Sequence, residues 1–165
     1  MKLYVMRHGP AEDSAPSGRD DDRALTVAGR ERVRQVARAL IAEGEVPRVI
    51  LTSPLVRAVQ TAEIVHTECQ LAAPIETRRE LAMGARVLEL VREVSAARRK
   101  RVMLIGHQPD LSGLIGELVG LQINVEKAMV VSVRIKSEEA PRVRFVLDPK
   151  ALQFLRRPGS SRTPA

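Results

Sequence analysis

The chain has 165 residues, of which 44% are hydrophobic and 28% are charged, and this length fits one domain. The composition excludes a wholly disordered chain, a collagen-like fibre and a disulfide scaffold, since Cys69 is the one cysteine. A net charge of +7 favours anionic partners, but an aromatic content of 2% leaves no stacking platform for single-stranded nucleic acid.

The first elements are a strand, a long loop and a helix. The apolar run Leu3–Met6 predicts a strand that is buried on both faces. A loop over residues 10–24 follows, rich in Pro, Gly, Ser and Asp, and its length is typical of a mobile or functional segment. Thr26 can cap a helix over residues 27–43, whose apolar positions share one face, and Gly44 ends it.

The middle of the chain repeats this alternation. Val49–Leu51 predicts a second buried strand, and Ser53 and Pro54 predict the N-cap and first position of a helix that ends near Cys69. A short extended piece near residues 74–77 then leads to a third helix at about 85–99.

A further buried strand at Val102–Ile105 is followed by a fourth helix that Pro109 opens. We expect the glycines in or beside this apolar helix to allow close packing; they are Gly113, Gly116 and Gly120. No run approaches the roughly 20 apolar residues of a membrane span and no signal peptide is recognisable, so we expect a cytoplasmic protein without a membrane partner.

Two stretches near the C-terminus alternate apolar and polar side chains, at residues 131–135 and 143–147, and they predict a closing hairpin. The order of elements therefore predicts a single three-layer α/β/α domain over residues 1–155, with a mainly parallel, mixed sheet. Residues 156–165 are predicted to form a disordered tail.

Imidazoles and guanidiniums follow three of the predicted strands. His8 and Arg7 follow the first strand, His107 follows the strand at 102–105, and Arg57 lies in the first turns of the helix after the second strand. Ligands of open α/β sheets bind beyond the carboxyl ends of the strands. These side chains and the neighbouring helix N-termini would suit a tetrahedral oxyanion, above all phosphate.

Other phosphate-handling motifs are missing from the sequence. It has no GxxxxGK[ST] loop, and Ile75 stands where a C-x5-R phosphatase loop starting at Cys69 would need arginine. The acidic run 20–22 does not follow an apolar strand, so we interpret it as a solvated loop. No metal-ligand spacing is present. We therefore expect a phosphoryl-transfer site that uses no metal and no cofactor.

Four blocks in order resemble the signature of the histidine phosphatase superfamily: Met6–Gly9, Leu25–Gly29, Thr52–Ala62 and Gly106–Pro109. They span nearly the whole chain. Only 22 residues separate Arg57 from Glu80, and this resembles the small SixA-type phosphohistidine phosphatases rather than the longer mutase relatives. The resemblance implies a phosphoglycerate-mutase-like fold and an exposed site that takes a phosphorylated side chain of another protein.

Each site residue has an expected role. His8 is the expected nucleophile, which forms a phosphohistidine intermediate that water hydrolyses. Gly9 is expected to let the backbone approach the phosphate closely. Arg7, Arg57 and His107 are expected to hold the three non-bridging oxygens and to stabilise the transition state.

Two more residues complete the expected site. Glu80 occupies the position where the resemblance places a proton donor, and near neutral pH it would need a pKa raised by burial or by negative charge. Arg23, just before the Leu25 block, is expected to reach the substrate from the loop at 10–24.

Three functions remain open on the sequence alone. The first is a metal-independent phosphatase acting on phosphohistidine in a protein, such as a phosphotransfer domain, within signal transduction. The second is a phosphatase for a small phosphate ester or sugar phosphate on the same scaffold. The third is a basic nucleic-acid-binding module without catalysis, which the run Arg98–Arg101 favours and the retained set of site residues disfavours.

Overall fold

A computed structural model of the chain describes residues 1–156, so all of the predicted tail except Arg156 lies outside the described residues. Seven strands and four α-helices make up the described part. In chain order they are β1 (Lys2–Arg7), α1 (Val27–Ala42), β2 (Val49–Thr52), α2 (Val56–Glu68), β3 (Glu76–Thr77), α3 (Val87–Ala96), β4 (Arg101–Gly106), α4 (Asp110–Val119), β5 (Val130–Arg134), β6 (Arg142–Leu147) and β7 (Phe154–Leu155).

The strands form one mixed sheet in the order β3-β2-β4-β1-β5-β6-β7. The strands β3, β2, β4 and β1 pair in parallel, whereas β5, β6 and β7 add to the β1 edge in antiparallel pairs. The predicted α/β class and the closing hairpin are confirmed. The short strand β7 was not predicted from the alternation pattern.

Both faces of the sheet are covered by helices, and β1 shows why its sequence is apolar throughout. Leu3 and Val5 belong to the core that includes residues of α3 and α4. Tyr4 and Met6 belong to the opposite core, which includes residues of α1 and α2. Successive side chains of a strand point to opposite faces, so a strand between two layers must be apolar at every position.

The pairing register between β1 and β4 determines where the candidate site lies. Arg7 of β1 lies opposite Gly106 of β4 in the parallel ladder. The residue that follows each of them is a histidine, so His8 and His107 leave the sheet side by side at its carboxyl edge.

The predicted start of α1 is confirmed, and the predicted start of α2 is wrong. Thr26 caps α1, since its hydroxyl accepts a hydrogen bond of 2.8 Å from the Gly29 N–H. The predicted start of α2 at Ser53 and Pro54 is wrong, because the helix begins at Val56 and Leu55 is its N-cap residue. Ser53 instead lies in the bend between β2 and α2.

No helix within residues 1–156 combines the length and the apolar character that crossing a membrane requires.

A buried ion pair joins the connection between α1 and β2 to strand β6. Glu45, which is 6% exposed, accepts hydrogen bonds from both terminal nitrogens of Arg144 on β6, at 2.9 and 2.6 Å. The Tyr4 hydroxyl donates a further bond of 2.8 Å. Burial opposes ionisation of Glu45, but the bonds from Arg144 and Tyr4 outweigh it and lower the pKa of this carboxyl to about 2.

We predict that Glu45→Gln lowers the free energy of unfolding at pH 7 by about 2–4 kcal/mol, because Arg144 would be left buried without its counter-charge. Folding lowers the pKa of Glu45, so its stabilisation is fully present above the ordinary value of 4.5 and is lost as the pH falls toward 2. Urea unfolding of the wild type and the variant should therefore show a difference that narrows between pH 5 and pH 3.

Glu139→Gln is the matched control, since Glu139 pairs with Lys136 and Arg142 on the exposed surface. We expect it to change the stability far less. A difference between wild type and Glu45→Gln that stays constant from pH 6 to pH 3 would contradict the assignment.

Candidate active site

His8 and His107 form the centre of the candidate site. Their ring centroids lie 5.1 Å apart and both residues are buried. The His8 backbone N–H donates to the Gly106 carbonyl at 3.2 Å, which continues the β1–β4 ladder past the last strand residues. The structure thus brings together the two strand-end histidines that the sequence singled out.

A backbone contact fixes the orientation of the His8 ring. Its Nδ1 lies 2.7 Å from the Gly9 carbonyl oxygen. A carbonyl oxygen can only accept, so Nδ1 carries the hydrogen and Nε2 keeps the lone pair of the neutral ring. No hydrogen bond to Nε2 occurs within residues 1–156. The free lone pair of His8 is therefore on Nε2.

Both imidazoles are held in the neutral form. Burial is the main cause that lowers the pKa of His8 to about 3, and the neighbouring His107, Arg57 and Arg7 lower it further, against the Gly9 bond. Burial, followed by the charge of Arg57, lowers the pKa of His107 to about 4. At neutral pH neither ring carries a charge in the free protein.

Arg57 is the second residue of α2 and is only 2% exposed. Its Nη1 donates to the Asp20 carbonyl at 2.8 Å and its Nη2 to Asp20 Oδ2 at 3.0 Å. The other carboxylate oxygen of Asp20 accepts a bond of 2.8 Å from Arg23 Nε. One carboxylate thus binds both guanidiniums, in the way that two oxygens of a phosphate would bind them.

The interpretation of residues 20–22 as a solvated acidic loop agrees with the exposure of Asp20 and Asp21, but it missed the pairing of Asp20 with Arg57. Asp20 lies in a 3-10 turn over Asp20–Asp22, and the charge and hydrogen bonds of Arg57 and Arg23 outweigh its slight burial and lower the pKa of its carboxyl. The sequence did contain a signal for the contact between Asp20 and Arg57, namely the balance of charges. A site with this many cations needs a counter-charge, and the loop beside it supplies the acidic run.

Three buried nitrogens of the site have no hydrogen-bond partner among the described residues: Arg7 Nε, Arg57 Nε and His107 Nδ1. The two arginine nitrogens are N–H donors, and an unpaired buried donor costs about 1–3 kcal/mol, so an anion that bonds to them would stabilise the site. Arg7 also donates through Nη1 to the Val125 carbonyl at 3.3 Å. Burial, followed by the charge of Arg57, lowers the pKa of Arg7. The arrangement presents N–H donors to an anion.

Two hydroxyl residues position the site, and the sequence interpretation missed both. Ser53 Oγ lies 2.7 Å from His107 Nε2. Thr61 Oγ1 donates to the Arg57 carbonyl at 2.7 Å and accepts from the Gly9 N–H at 3.0 Å. Both residues lie inside the block Thr52–Ala62, so the motif contained the signal although its local pattern did not reveal the contacts.

Gly9 has a packing role in the structure. A Cβ at this position would lie 2.6 Å from Val33 Cγ2 of α1, closer than real atoms approach. The small residue therefore lets β1 and α1 meet directly behind His8. An approach of the Gly9 backbone to phosphate remains a prediction.

Glu80 does not have the environment that a proton donor needs. Its carboxylate accepts hydrogen bonds from Arg78 Nη2 at 2.7 Å and Nε at 3.3 Å, and these bonds lower the pKa of Glu80. The free protein therefore does not supply the raised pKa that a proton donor needs, and a rise caused by the charge of a bound phosphate stays a prediction. The segment that follows does reach the site, because Met83 Sδ lies 4.0 Å from Arg57 Nη2.

The described residues contain no group of three or more His, Cys, Asp or Glu side chains that could hold a metal ion.

Comparisons with known proteins identify the family of the chain. A family model described as the histidine phosphatase superfamily (branch 1) matches residues 3–82. The phosphohistidine phosphatase SixA of Escherichia coli K12 is 32% identical over 125 residues, which are 72% of this chain and 74% of that protein. An uncharacterized protein of Picosynechococcus is 38% identical over 142 residues, or 81% of this chain and 85% of that one.

Solved structures share the fold. The protein histidine phosphatase SixA complexed with tungstate superposes with a TM-score of 0.85 at 26% identity, covering 93% of this chain and 100% of that one. The α-ribazole phosphatase of Shigella flexneri gives 0.73 at 20% identity, with 90% and 97% of the two chains covered. The chain therefore belongs to the histidine phosphatase superfamily, in its SixA-like branch.

Proposed function

We propose that this phosphatase removes the phosphoryl group from phosphohistidine in another protein, without a metal ion, through a phosphohistidine intermediate on His8. The observation that carries the proposal is the neutral His8 ring, whose free Nε2 shares a crevice with unpaired cationic donors. A neutral imidazole is a competent nucleophile toward phosphorus.

The reaction takes place in two displacements. In the first, His8 Nε2 attacks phosphorus in line, the P–N bond to the substrate imidazole breaks, and that imidazole leaves as a neutral ring that keeps the proton already on its other nitrogen. In the second, water attacks the phosphorus on His8, the P–N bond to His8 breaks, inorganic phosphate leaves with the oxygen of that water, and Nε2 regains its lone pair. Arg7, Arg57 and His107 contact the non-bridging oxygens in both steps.

The binding of phosphate requires a change at Asp20. Arg57 Nη2 is bonded to the Asp20 carboxylate in the free protein, so a phosphoryl oxygen must replace or share that bond. Arg23 also bonds to this carboxylate and would hold Asp20 beside the substrate after the exchange. In this proposal Arg23 positions Asp20 beside the substrate, and a direct contact between Arg23 and the substrate stays a prediction.

The ionisation state of the two nearby carboxylates supports phosphohistidine as the substrate. Arginines lower the pKa of both Glu80 and Asp20, so neither group is a ready proton donor near neutral pH. An alkyl phosphate ester must expel a strongly basic alkoxide and needs such a donor. An imidazole titrates near 6.5 and can leave with its own proton.

The relatives support the same substrate class. The SixA protein of Escherichia coli is named a phosphohistidine phosphatase, and its structural counterpart binds tungstate, a tetrahedral oxyanion. α-Ribazole phosphatases share the fold, so a small phosphate ester is the rival that an experiment must separate. Nucleic-acid binding by the basic run is less well supported, because Arg99 pairs with Glu76 and Arg101 bonds to Gly44.

A substrate panel tests the proposal directly. With a chelator present, kcat/KM should be highest for a phosphohistidine protein and at least about 100-fold lower for sugar phosphates, which is the scale of one missing general acid. Preference for a sugar phosphate would favour the small-molecule rival. Activity that disappears on chelation and returns with magnesium or manganese would contradict the metal-free mechanism.

The role of Glu80 is tested by leaving groups of different basicity. If Glu80 takes up a proton when the dianionic substrate binds, Glu80→Gln should slow an alkyl phosphomonoester about tenfold or more and change p-nitrophenyl phosphate and phosphohistidine less than about threefold. Arg57→Ala should slow every substrate by about 10²–10³. Single-turnover rates of phosphoenzyme formation are the measurement.

Glu93→Gln is the matched control, since Glu93 is the other carboxylate bonded to Arg78 and should leave all rates unchanged. Equal losses for Glu80→Gln on every leaving group would remove it as the proton donor.

A further inference from the structure

A groove between α3 and α4 is not used by the proposed chemistry. It encloses about 510 Å³, and its floor is formed by apolar or small residues of the two helices and their leading segments: Ala85, Leu88, Pro109, Gly113 and Leu114. Charged side chains lie along both rims. The groove therefore has an apolar floor and polar edges, the pattern of a surface that binds an amphipathic segment.

The groove opens at the edge of the phosphate site. Pro109 on its floor is two residues from His107. In the segment that precedes the groove residue Ala85, Met83 Sδ lies 4.0 Å from Arg57 Nη2, and Gly84 donates its N–H to Asp110 Oδ2 at 2.8 Å. The groove therefore lies next to the site, where it can contact a molecule whose phosphoryl group is bound at His8.

Gly113 leaves the groove open at α4, because it carries no side chain there. It lies inside α4, where glycine weakens a helix. The expected close packing is wrong at this position, because a Cβ built there meets no atom within 4 Å. Its φ angle is not in the positive range that favours glycine. The absent side chain leaves room over the groove.

Each of the two rims carries a charged side chain, of opposite sign, that forms no ion pair within the described part of the chain. Arg86 of the α3 rim pairs with Glu89, whereas Arg92 makes no ion pair within residues 1–156. Glu117 on the α4 rim makes none in that range either. These two residues line the same groove without bonding to each other. A partner with an acidic group on one side and a basic group on the other would match both rims.

We infer that this groove binds a surface helix of the phosphoprotein substrate, an inference that rests on the proposed function. The groove lies between helices and exposes side chains rather than a sheet edge, so it offers no backbone ladder to an extended strand. A helix satisfies its own backbone hydrogen bonds and needs only apolar side chains toward Gly113 and Leu114. The segment Asp110–Glu117 spans roughly 10 Å of α4, or two turns for such a contact.

The test compares one protein substrate with two small ones. Gly113→Leu fills the groove from a position with open space, and Gly113→Ala is the matched control that adds a single methyl group. The substrates are a histidine-phosphorylated phosphotransfer domain, free phosphohistidine and p-nitrophenyl phosphate. We expect Gly113→Leu to raise KM for the protein about tenfold and to change kcat/KM for both small substrates less than twofold. Gly113→Ala should change KM for the protein less than threefold.

Other outcomes overturn the inference in distinguishable ways. If wild type and Gly113→Leu have the same KM for the protein, the groove does not bind it while the proposed function stands. If Gly113→Leu loses activity equally on all three substrates, the residue acts on the site and not on docking. If the wild-type enzyme hydrolyses p-nitrophenyl phosphate but neither phosphohistidine substrate, the proposed function fails and the docking inference fails with it.

Discussion

Two imidazoles and two guanidiniums share one buried crevice at the carboxyl ends of β1, β4 and the start of α2, and the cost of burying positive charge there governs the site. Burying several cations together is unfavourable unless charge is removed or balanced. The structure does both. His8 and His107 are neutral, with pKa values lowered to about 3 and 4. Asp20 supplies a carboxylate to Arg57, while buried nitrogens of Arg7 and Arg57 remain unpaired.

This electrostatic arrangement connects binding to chemistry. A phosphoryl dianion brings the negative charge that the crevice lacks, so its binding is favoured by the same arginine charges that add to burial in keeping the free imidazoles neutral. The neutral state of His8 is also what leaves its Nε2 able to attack phosphorus. The arginines beside Asp20 and Glu80 keep both carboxylates ionised, so neither donates a proton readily. This favours a leaving group that needs no proton from the protein. Substrate preference thus follows from where the charges are placed.

The sequence was sufficient for the layers and for the strand-end histidines, because these depend on local apolar runs and on a general property of parallel sheets. It was insufficient where the deciding contact is long-range. Asp20 meets Arg57 across 37 positions of the chain, and no local pattern reveals that pair. Ser53 fits a helix cap by residue type but lies against His107. Gly113 fits close packing by composition, yet only the tertiary structure shows the open space beside it.

The central claim is that a neutral His8 accepts the phosphoryl group, and rapid mixing with radiolabelled phosphohistidine protein, followed by an alkaline quench, tests it most directly. The alkaline quench preserves phosphohistidine, which acid would hydrolyse. The account predicts a burst of label close to one phosphate per enzyme, located on His8 by mass spectrometry, absent in His8→Ala and retained in His66→Ala, whose ring bonds to the Ala73 carbonyl outside the site. Label located on His107, or steady turnover without any labelled enzyme, would contradict it.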